Sequence, residues 1–196
     1  MKQIITIDEI KKLRELTHVG ISDAKKALED SEGDFEKAKE WLRKKGLAKS
    51  IEKSDKDAHE GLIGSYIHQN GKIGVIVEIN CQTDFVARTD LFKTFAHDIA
   101  MHIAAFNPLY VSIDSIEKNT LEKIRSEFRE TVQDKPLEMQ EKIIDGKIEK
   151  YAAEICLLNQ KFLKNDSITV NEALGEMVGK LGENIKIGRF SRIHIA

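Results

Sequence analysis

The sequence predicts an α+β fold: a small helical module, then a core of antiparallel sheet packed with helices, from which a helical hairpin protrudes. Three observations predict it. Over the first fifty residues, apolar side chains recur three and four apart, with glycines marking helix ends. From Leu62 the period drops to two: "LIGSYIH" and "KIGVIVEIN" flank Asn70-Gly71, a dipeptide that tolerates positive φ and marks a hairpin. From Ile116 to about Leu158 the helical period returns in a highly charged stretch, and the chain closes on the β-rich run "NIKIGRFSRIHIA".

Each element has a local reason. The first helix opens with Thr6 and Glu9 as a capping box and Ile5 and Ile10 as a staple, and its inward stripe is Ile10, Leu13 and Leu16. The second starts at Ser22, turns Ala24, Ala27 and Leu28 inward and stops before Gly33. The third starts at Asp34, buries Phe35, Ala38, Trp41 and Leu42, and ends at Gly46. Residues 1–48 therefore read as one module. The charged run "KSIEKSDKDAHE" over 49–60 reads as a linker, and 61–196 as the core. In the hairpin, Ile73, Val75, Val77 and Ile79 alternate onto one face. Its expected cover is the helix Leu91 to Phe106, with Phe92, Phe95, Ile99, Ile103 and Phe106 at helical spacing. Asn107-Pro108 ends that helix, and "LYVS" reads as a short strand.

The helical hairpin, about 116–158, carries the stripe Leu121, Ile124, Phe128 and Val132. Beyond Pro136, which suits a first turn, come Met139, Ile143, Tyr151, Ile155 and Leu158. Gly146 either weakens that second helix or allows a close crossing. Thr169 and Glu172 form another capping box, opening a helix with Val170, Leu174, Met177 and Leu181 inward and Gly182 as its stop. The broken alternation around Gly188 points to a bulge in the last strand.

Composition narrows the function classes. At 41% hydrophobic and 33% charged over 196 residues, the chain reads as a soluble globular protein. A net charge of −2 supplies no global basic field, which argues against direct nucleic-acid binding. No apolar run approaches the ~20 residues of a membrane span. The N-terminal "MKQIITIDEIKKLRELT" turns charged too soon for the apolar centre of a signal peptide. Cys81 and Cys156 belong to no CxxC pair and read as free thiols in a reducing cytoplasm.

The chemical motifs are sparse. Phosphate-loop, dinucleotide, zinc-protease and nucleophile-elbow patterns do not occur in the sequence. His97 and His102 lie five apart, the wrong spacing for a helical metal pair, and His102 falls beside the apolar stripe as a core or boundary residue. The expectation is a protein without catalytic residues, metal or cofactor. Two short stretches stand out instead. In "TDFVA", Thr83 caps a helix and Asp84 suits its positive end. Phe85 there either packs inward or points out, together with Asp84, at a partner. In "THVGI", Val19 and Ile21 flank Gly20 on a tight loop, where they either close the local core or form a docking surface.

Several stretches taken together resemble the translation elongation factor Ts family, the guanine-nucleotide exchange factors of elongation factor Tu. They are "LRELTHVGISDAKKALEDSEGDFEKAKEWLRKKG", "EINCQTDFVAR", "AMHIAAFNPLYVS", "KPLEMQEKIIDGKIEKYAAEICLLNQKFLKNDSITVNEAL" and "KLGENIKIGRF". They span essentially the whole chain, in the family's order, at the length of its short form. Lys161 stands where the family usually has proline, and Gly188 where a basic residue is common. The resemblance implies a cytoplasmic factor that binds elongation factor Tu, GDP-bound and nucleotide-free, and promotes GDP release. In that reading Thr83, Asp84, Phe85 and Val86 intrude near the partner's magnesium site. Phe85 is the wedge, Asp84 disturbs the metal's polar contacts, Thr83 sets the geometry and Val86 seats the turn on its own core. The N-terminal module resembles a ubiquitin-associated fold that docks through Leu13, Val19, Gly20 and Ile21, with His68 at the hairpin tip facing another domain of the partner. Short forms also resemble dimeric members, which implies a homodimer. A ubiquitin-associated-type docking adaptor without exchange activity is the alternative, and it accounts for the first fifty residues alone.

Overall fold

The computed structural model describes residues 5–195. The first four residues of the expected module and the last residue of the expected terminal strand lie outside the described residues.

Helices α1 (Ile7–Thr17), α2 (Ile21–Asp30) and α3 (Phe35–Lys53) form the N-terminal unit. The capping box is made at both ends: the Glu9 amide donates to Thr6 Oγ1, and the Thr6 amide donates to Glu9 Oε2 at 2.8 Å. Leu13, Val19, Ala24, Ala27, Leu28, Ala38 and Leu42 are buried together, with Ile5, Ile10, Phe35 and Trp41 packed against them. Leu16 departs from its expected place: it is 57% exposed, on the outer side of the stripe that Leu13 closes.

The third helix does not end at Gly46. It continues to Lys53, so the first part of the stretch read as a linker is helix, and its charges are a solvated helical face. Gly46 is buried where α3 crosses α8 (Val170–Leu181), and Gly175 faces it. A Cβ on Gly46 would stand 2.7 Å from the Gly175 carbonyl oxygen, and one on Gly175 would stand 2.9 Å from Leu47 Cα. Glycine therefore serves a backbone-to-backbone crossing here, not a stop. Arg43 clasps the same crossing by pairing with both Glu40 and Glu172.

Strands β1 (Glu60–Ile67) and β2 (Ile73–Cys81) form the expected hairpin, in register from Glu60 opposite Cys81 to Ile67 opposite Gly74. The turn uses Gly71 at φ 67°, and Asn70 Oδ1 accepts from the Lys72 amide. The last strand, β5 (Lys186–His194), pairs antiparallel with β2, so the sheet order is β1-β2-β5. Val77 lies opposite Phe190 but Ile79 lies opposite Ile187, which places one extra residue of β5 at Gly188-Arg189: the expected bulge. Val75, Val77 and Ile79 face α5 (Asp90–Phe106), whose Phe92, Phe95, Ile99 and Ile103 join Val170, Leu174 and Val178 of α8 in the main core. The capping box of Thr169 and Glu172 opens α8, and Gly182, at φ 75°, closes it.

"LYVS" does not become a strand. Tyr110 makes one isolated parallel bridge to Cys156, and a 3-10 turn over Ile113–Ser115 follows. Helices α6 (Lys118–Glu130) and α7 (Leu137–Ile155) form the protruding hairpin. The first stripe is as expected, but α7 buries Ile144, Ile148 and Ala152 and leaves Met139 exposed. Adjacent isoleucines at 143 and 144 made the phase ambiguous, and the pattern four apart wins. Gly146 has no atom of another element within 4 Å of its would-be Cβ, so no close crossing occurs there. A two-stranded ribbon, β3 (Lys161–Phe162) with β4 (Asn165–Thr169), was not legible from the sequence.

Candidate functional site

The candidate site is the junction between β2 and α5. Cys81 ends β2 in the core, and its thiol donates to the Thr83 carbonyl. Thr83 is extended, at φ −130° and ψ 152°, and caps a single helical turn, α4 (Asp84–Ala87), by accepting from the Val86 amide. Two residues on, Thr89 caps α5 by accepting from the Phe92 amide, and its hydroxyl donates back to the Val86 carbonyl at 2.8 Å. Two threonine caps six residues apart thus fold the chain into a tight corner. Ala87 is buried and Val86 packs against the core. Phe85 is 79% exposed, so it does not pack inward. Asp84 pairs with Arg88 at 2.8 Å on the same exposed side.

A second element holds this corner from outside the motif. Immediately after Gly182, the Glu183 carboxylate accepts from the Gln82 amide at 3.1 Å, the Thr83 amide at 3.0 Å and the Thr83 hydroxyl at 2.6 Å. The Asn184 amide donates to Gln82 Oε1, and Asn184 Nδ2 donates to the Lys56 carbonyl. Sequence reasoning missed Glu183, Gln82 and Asn184. Their only signal is local, an acid and an amide directly after a glycine helix stop, and nothing in it points a hundred residues back.

The other predicted residues fall in two further places. Leu13 is fully buried in the three-helix core and cannot present itself to a partner as expected. Helical periodicity marks apolar positions without saying which face the neighbouring helices cover, and here α2 and α3 cover Leu13 and leave Leu16 out. Val19 is buried and closes the local core, so like Leu13 it is not presented to a partner, whereas Gly20 is exposed and Ile21 is 60% exposed. Gly20 and Ile21 line an open cleft with Arg14, His18 and, from α8, Lys180. His68 is exposed at the hairpin turn, where its Nδ1 lies 3.1 Å from the Tyr66 hydroxyl. Strand β1 separates it from the junction, which at about 3.3 Å per residue puts roughly 25 Å between His68 and the Phe85 corner. The structure gathers 83–86 into one corner, places Val19 and Gly20 in the α1–α2 loop with Ile21 opening α2, and sets His68 at the far end of β1 from the corner.

His102 is a core residue. It is fully buried, its Nδ1 accepts from the Leu163 amide, and its Nε2 therefore carries the proton and donates to Gln160 Oε1 at 3.0 Å. Burial pushes its pKa below the ordinary histidine value. Among the described residues no group of three His, Cys, Asp or Glu is placed to hold a metal ion, and no helix is long and apolar enough to cross a membrane.

With this geometry in view, the comparisons with known proteins agree. The family model described as "Elongation factor TS" matches residues 2–177. "Elongation factor Ts" of Thermotoga petrophila is 47% identical over 191 residues, covering 97% of this chain and 96% of that protein. The protein of that name from Fervidobacterium nodosum is 48% identical over 193 residues, covering 97% and 98%. The one from Carboxydothermus hydrogenoformans is 49% identical over 194 residues, covering 98% and 89%. The chain belongs to the elongation factor Ts family of translation elongation factors.

Proposed function

We propose that this protein is a guanine-nucleotide exchange factor for elongation factor Tu, binding it in its GDP-bound and nucleotide-free states in the cytoplasm and speeding GDP release. The single observation that carries this reading is Phe85: an aromatic side chain 79% exposed on a turn pinned by two threonine caps and a carboxylate. A GTPase holds its nucleotide through backbone amides and a magnesium ion bridging phosphate oxygens. An exchange factor performs no covalent step. It favours the nucleotide-free conformation, and by reciprocity it weakens nucleotide binding by the factor by which nucleotide weakens its own. Phe85 enters a partner pocket as the wedge, and burying its ring supplies roughly 1.5–3 kcal/mol. Asp84 follows it: an exposed ion pair such as Asp84–Arg88 contributes at most about 1 kcal/mol, so the carboxylate is free to exchange Arg88 for the polar shell of the partner's metal. Thr83 and Val86 hold the turn.

Docking falls to the end of the α1–α2 loop, where Gly20 presents backbone and Ile21, the first residue of α2, presents apolar surface. His68, roughly 25 Å from the wedge along β1, meets a different part of the partner. A homodimer accompanies this reading. The sheet face turned away from α5 exposes Ile63, Ile67, Ile76 and Ile193, and Gly74 between Ile67 and Ile193 leaves that face shallow enough for a second sheet.

The test is release of fluorescent GDP from elongation factor Tu. The wild-type protein accelerates release, and Phe85→Ala lowers the acceleration about ten- to a hundredfold. Thermal stability stays within about 0.5 kcal/mol of wild type, because the ring is exposed. No acceleration by the wild-type protein refutes the exchange reading; full activity of Phe85→Ala refutes the wedge alone.

A further inference from the structure

We infer that Glu183 is a positioning residue for the exchange segment: its carboxylate, arriving from the end of α8, fixes the backbone and hydroxyl of Gln82-Thr83 and thereby the direction in which Phe85 projects. The inference rests on the exchange function proposed above and names a residue outside the motif that carries it.

The geometry is that of a helix cap supplied in trans. The amides of Gln82 and Thr83 precede α4 and have no partner within the one-turn helix, and Glu183 Oε2 accepts both, at 3.1 and 3.0 Å. Glu183 Oε1 accepts a hydrogen bond from the Thr83 hydroxyl at 2.6 Å. That bond commits the hydroxyl hydrogen to Glu183, so the Thr83 oxygen keeps its lone pairs for the Val86 amide, which is the cap that closes α4. One carboxylate therefore sets the rotor of the capping residue as well as two backbone groups. A helix of a single turn has no cooperative hydrogen bonding of its own to hold it, so its orientation comes from these outside contacts.

Glu183 is itself held. Gly182, at φ 75°, turns the chain out of α8 and directs the next residue at the junction, and the Lys53 ammonium at the end of α3 donates to the Gly182 carbonyl. The neighbouring Asn184 ties Gln82 Oε1 to the Lys56 carbonyl. The end of α3 and the exchange corner are thus bonded to the same three residues, 182–184. The helix that continues from the docking unit and the corner that carries the wedge share one anchor.

The experiment compares wild type, Glu183→Gln and Glu183→Ala in stimulated release of fluorescent GDP from elongation factor Tu, titrating each protein to saturation, with amide hydrogen exchange at Gln82 and Thr83 measured on the free proteins. Glu183→Ala lowers the maximal release rate about tenfold and leaves the half-saturating concentration within about twofold, because docking surfaces are untouched while the wedge loses its aim. The Gln82 and Thr83 amides exchange faster. Glu183→Gln keeps one acceptor oxygen for the amides but donates to the Thr83 hydroxyl oxygen, and its rate falls between the other two. A wild-type maximal rate in either variant overturns the inference. So does a raised half-saturating concentration with the maximal rate intact, which assigns Glu183 to docking. Should Glu183→Ala unfold, by circular dichroism, the near-isosteric Glu183→Gln decides between these outcomes. Should the wild-type protein fail to stimulate release, the proposed function falls, and unchanged exchange of the Gln82 and Thr83 amides in the variants would separately overturn the anchoring role.

Discussion

Gly46→Ala and Gly146→Ala are the same substitution in the interiors of two helices, and the structure assigns them opposite signs. Replacing a helical glycine by alanine gains about 1 kcal/mol from backbone entropy and helix propensity. At Gly146 nothing stands against the new methyl group, so the gain is kept: a rise in Tm of about 2–4 °C for a domain of this size. At Gly46 the methyl meets the Gly175 carbonyl oxygen at 2.7 Å and carbon at 3.1 Å. Both are backbone atoms of a helix and have no rotamer into which to retreat. The α3–α8 crossing must widen, and overpacking of this kind costs about 1–3 kcal/mol. Net of the propensity gain, Gly46→Ala comes out about 1 kcal/mol destabilised, and the two variants separate by about 4–8 °C in thermal unfolding. Gly175→Ala alone behaves like Gly46→Ala, since its methyl meets Leu47 Cα at 2.9 Å. The double variant costs less than the sum, because the first methyl opens the space that the second needs. A Gly46→Ala protein stabilised as much as Gly146→Ala would refute the contact between the two helices.

If the proposed homodimer pairs through the exposed sheet face, Ile76→Lys, which places a charge at its centre opposite Ser65 and Ser191, shifts sedimentation from dimer to monomer while the proposed GDP-release activity per chain is retained. His102 gives stability a defined pH dependence. Its pKa is lowered in the folded protein, so only the unfolded chain takes up the proton as pH falls below the ordinary value near 6.5, and stability is lost on the acid side by up to about 1.4 kcal/mol per pH unit. Urea unfolding at pH 7.5 and 5.5 measures this, and His102→Gln shows a smaller difference between the two. Burial raises the Cys81 and Cys156 thiols above the ordinary cysteine range, with the Glu183 charge adding to the effect at Cys81. Both react with a disulfide reagent at pH 8 far more slowly in the folded protein than in urea.

Most of the fold could be read from local chemistry, and the misses share one physical cause. The capping boxes at Thr6 and Thr169, the Asn70-Gly71 turn and the alternation of Ile73 to Ile79 are local instructions, and each element appears where they place it. Gly46 is different: a glycine after lysines looks like a stop, and only the presence of α8 makes it a crossing. Leu13 and Leu16 share one apolar stripe, and which of them is buried depends on where α2 and α3 lie. The helix cap at the proposed exchange segment was legible because "TDFVA" is contiguous. Its anchor was not, since Glu183 lies 100 residues away from Thr83 and carries no periodic signal.

The outward direction of Phe85 follows from its neighbours more than from Phe85 itself. Successive side chains on a helical turn are about 100° apart. With Val86 packed on the core and Ala87 buried, the inward direction lies between them, about 150° from Phe85, which leaves the ring no core to reach. Rotating the turn to bury Phe85 would expose Val86 and Ala87 and would also break the caps at Thr83 and Thr89 and the three bonds to Glu183. The hydrophobic gain from burying one ring, roughly 1.5–3 kcal/mol, competes against several hydrogen bonds at about 1 kcal/mol each, with more for those to the carboxylate. The free protein thus keeps an apolar ring in water without collapsing onto it. The entropy of aiming the ring is already spent on folding, so in the proposed exchange role more of the interaction with a partner is left to act on that partner.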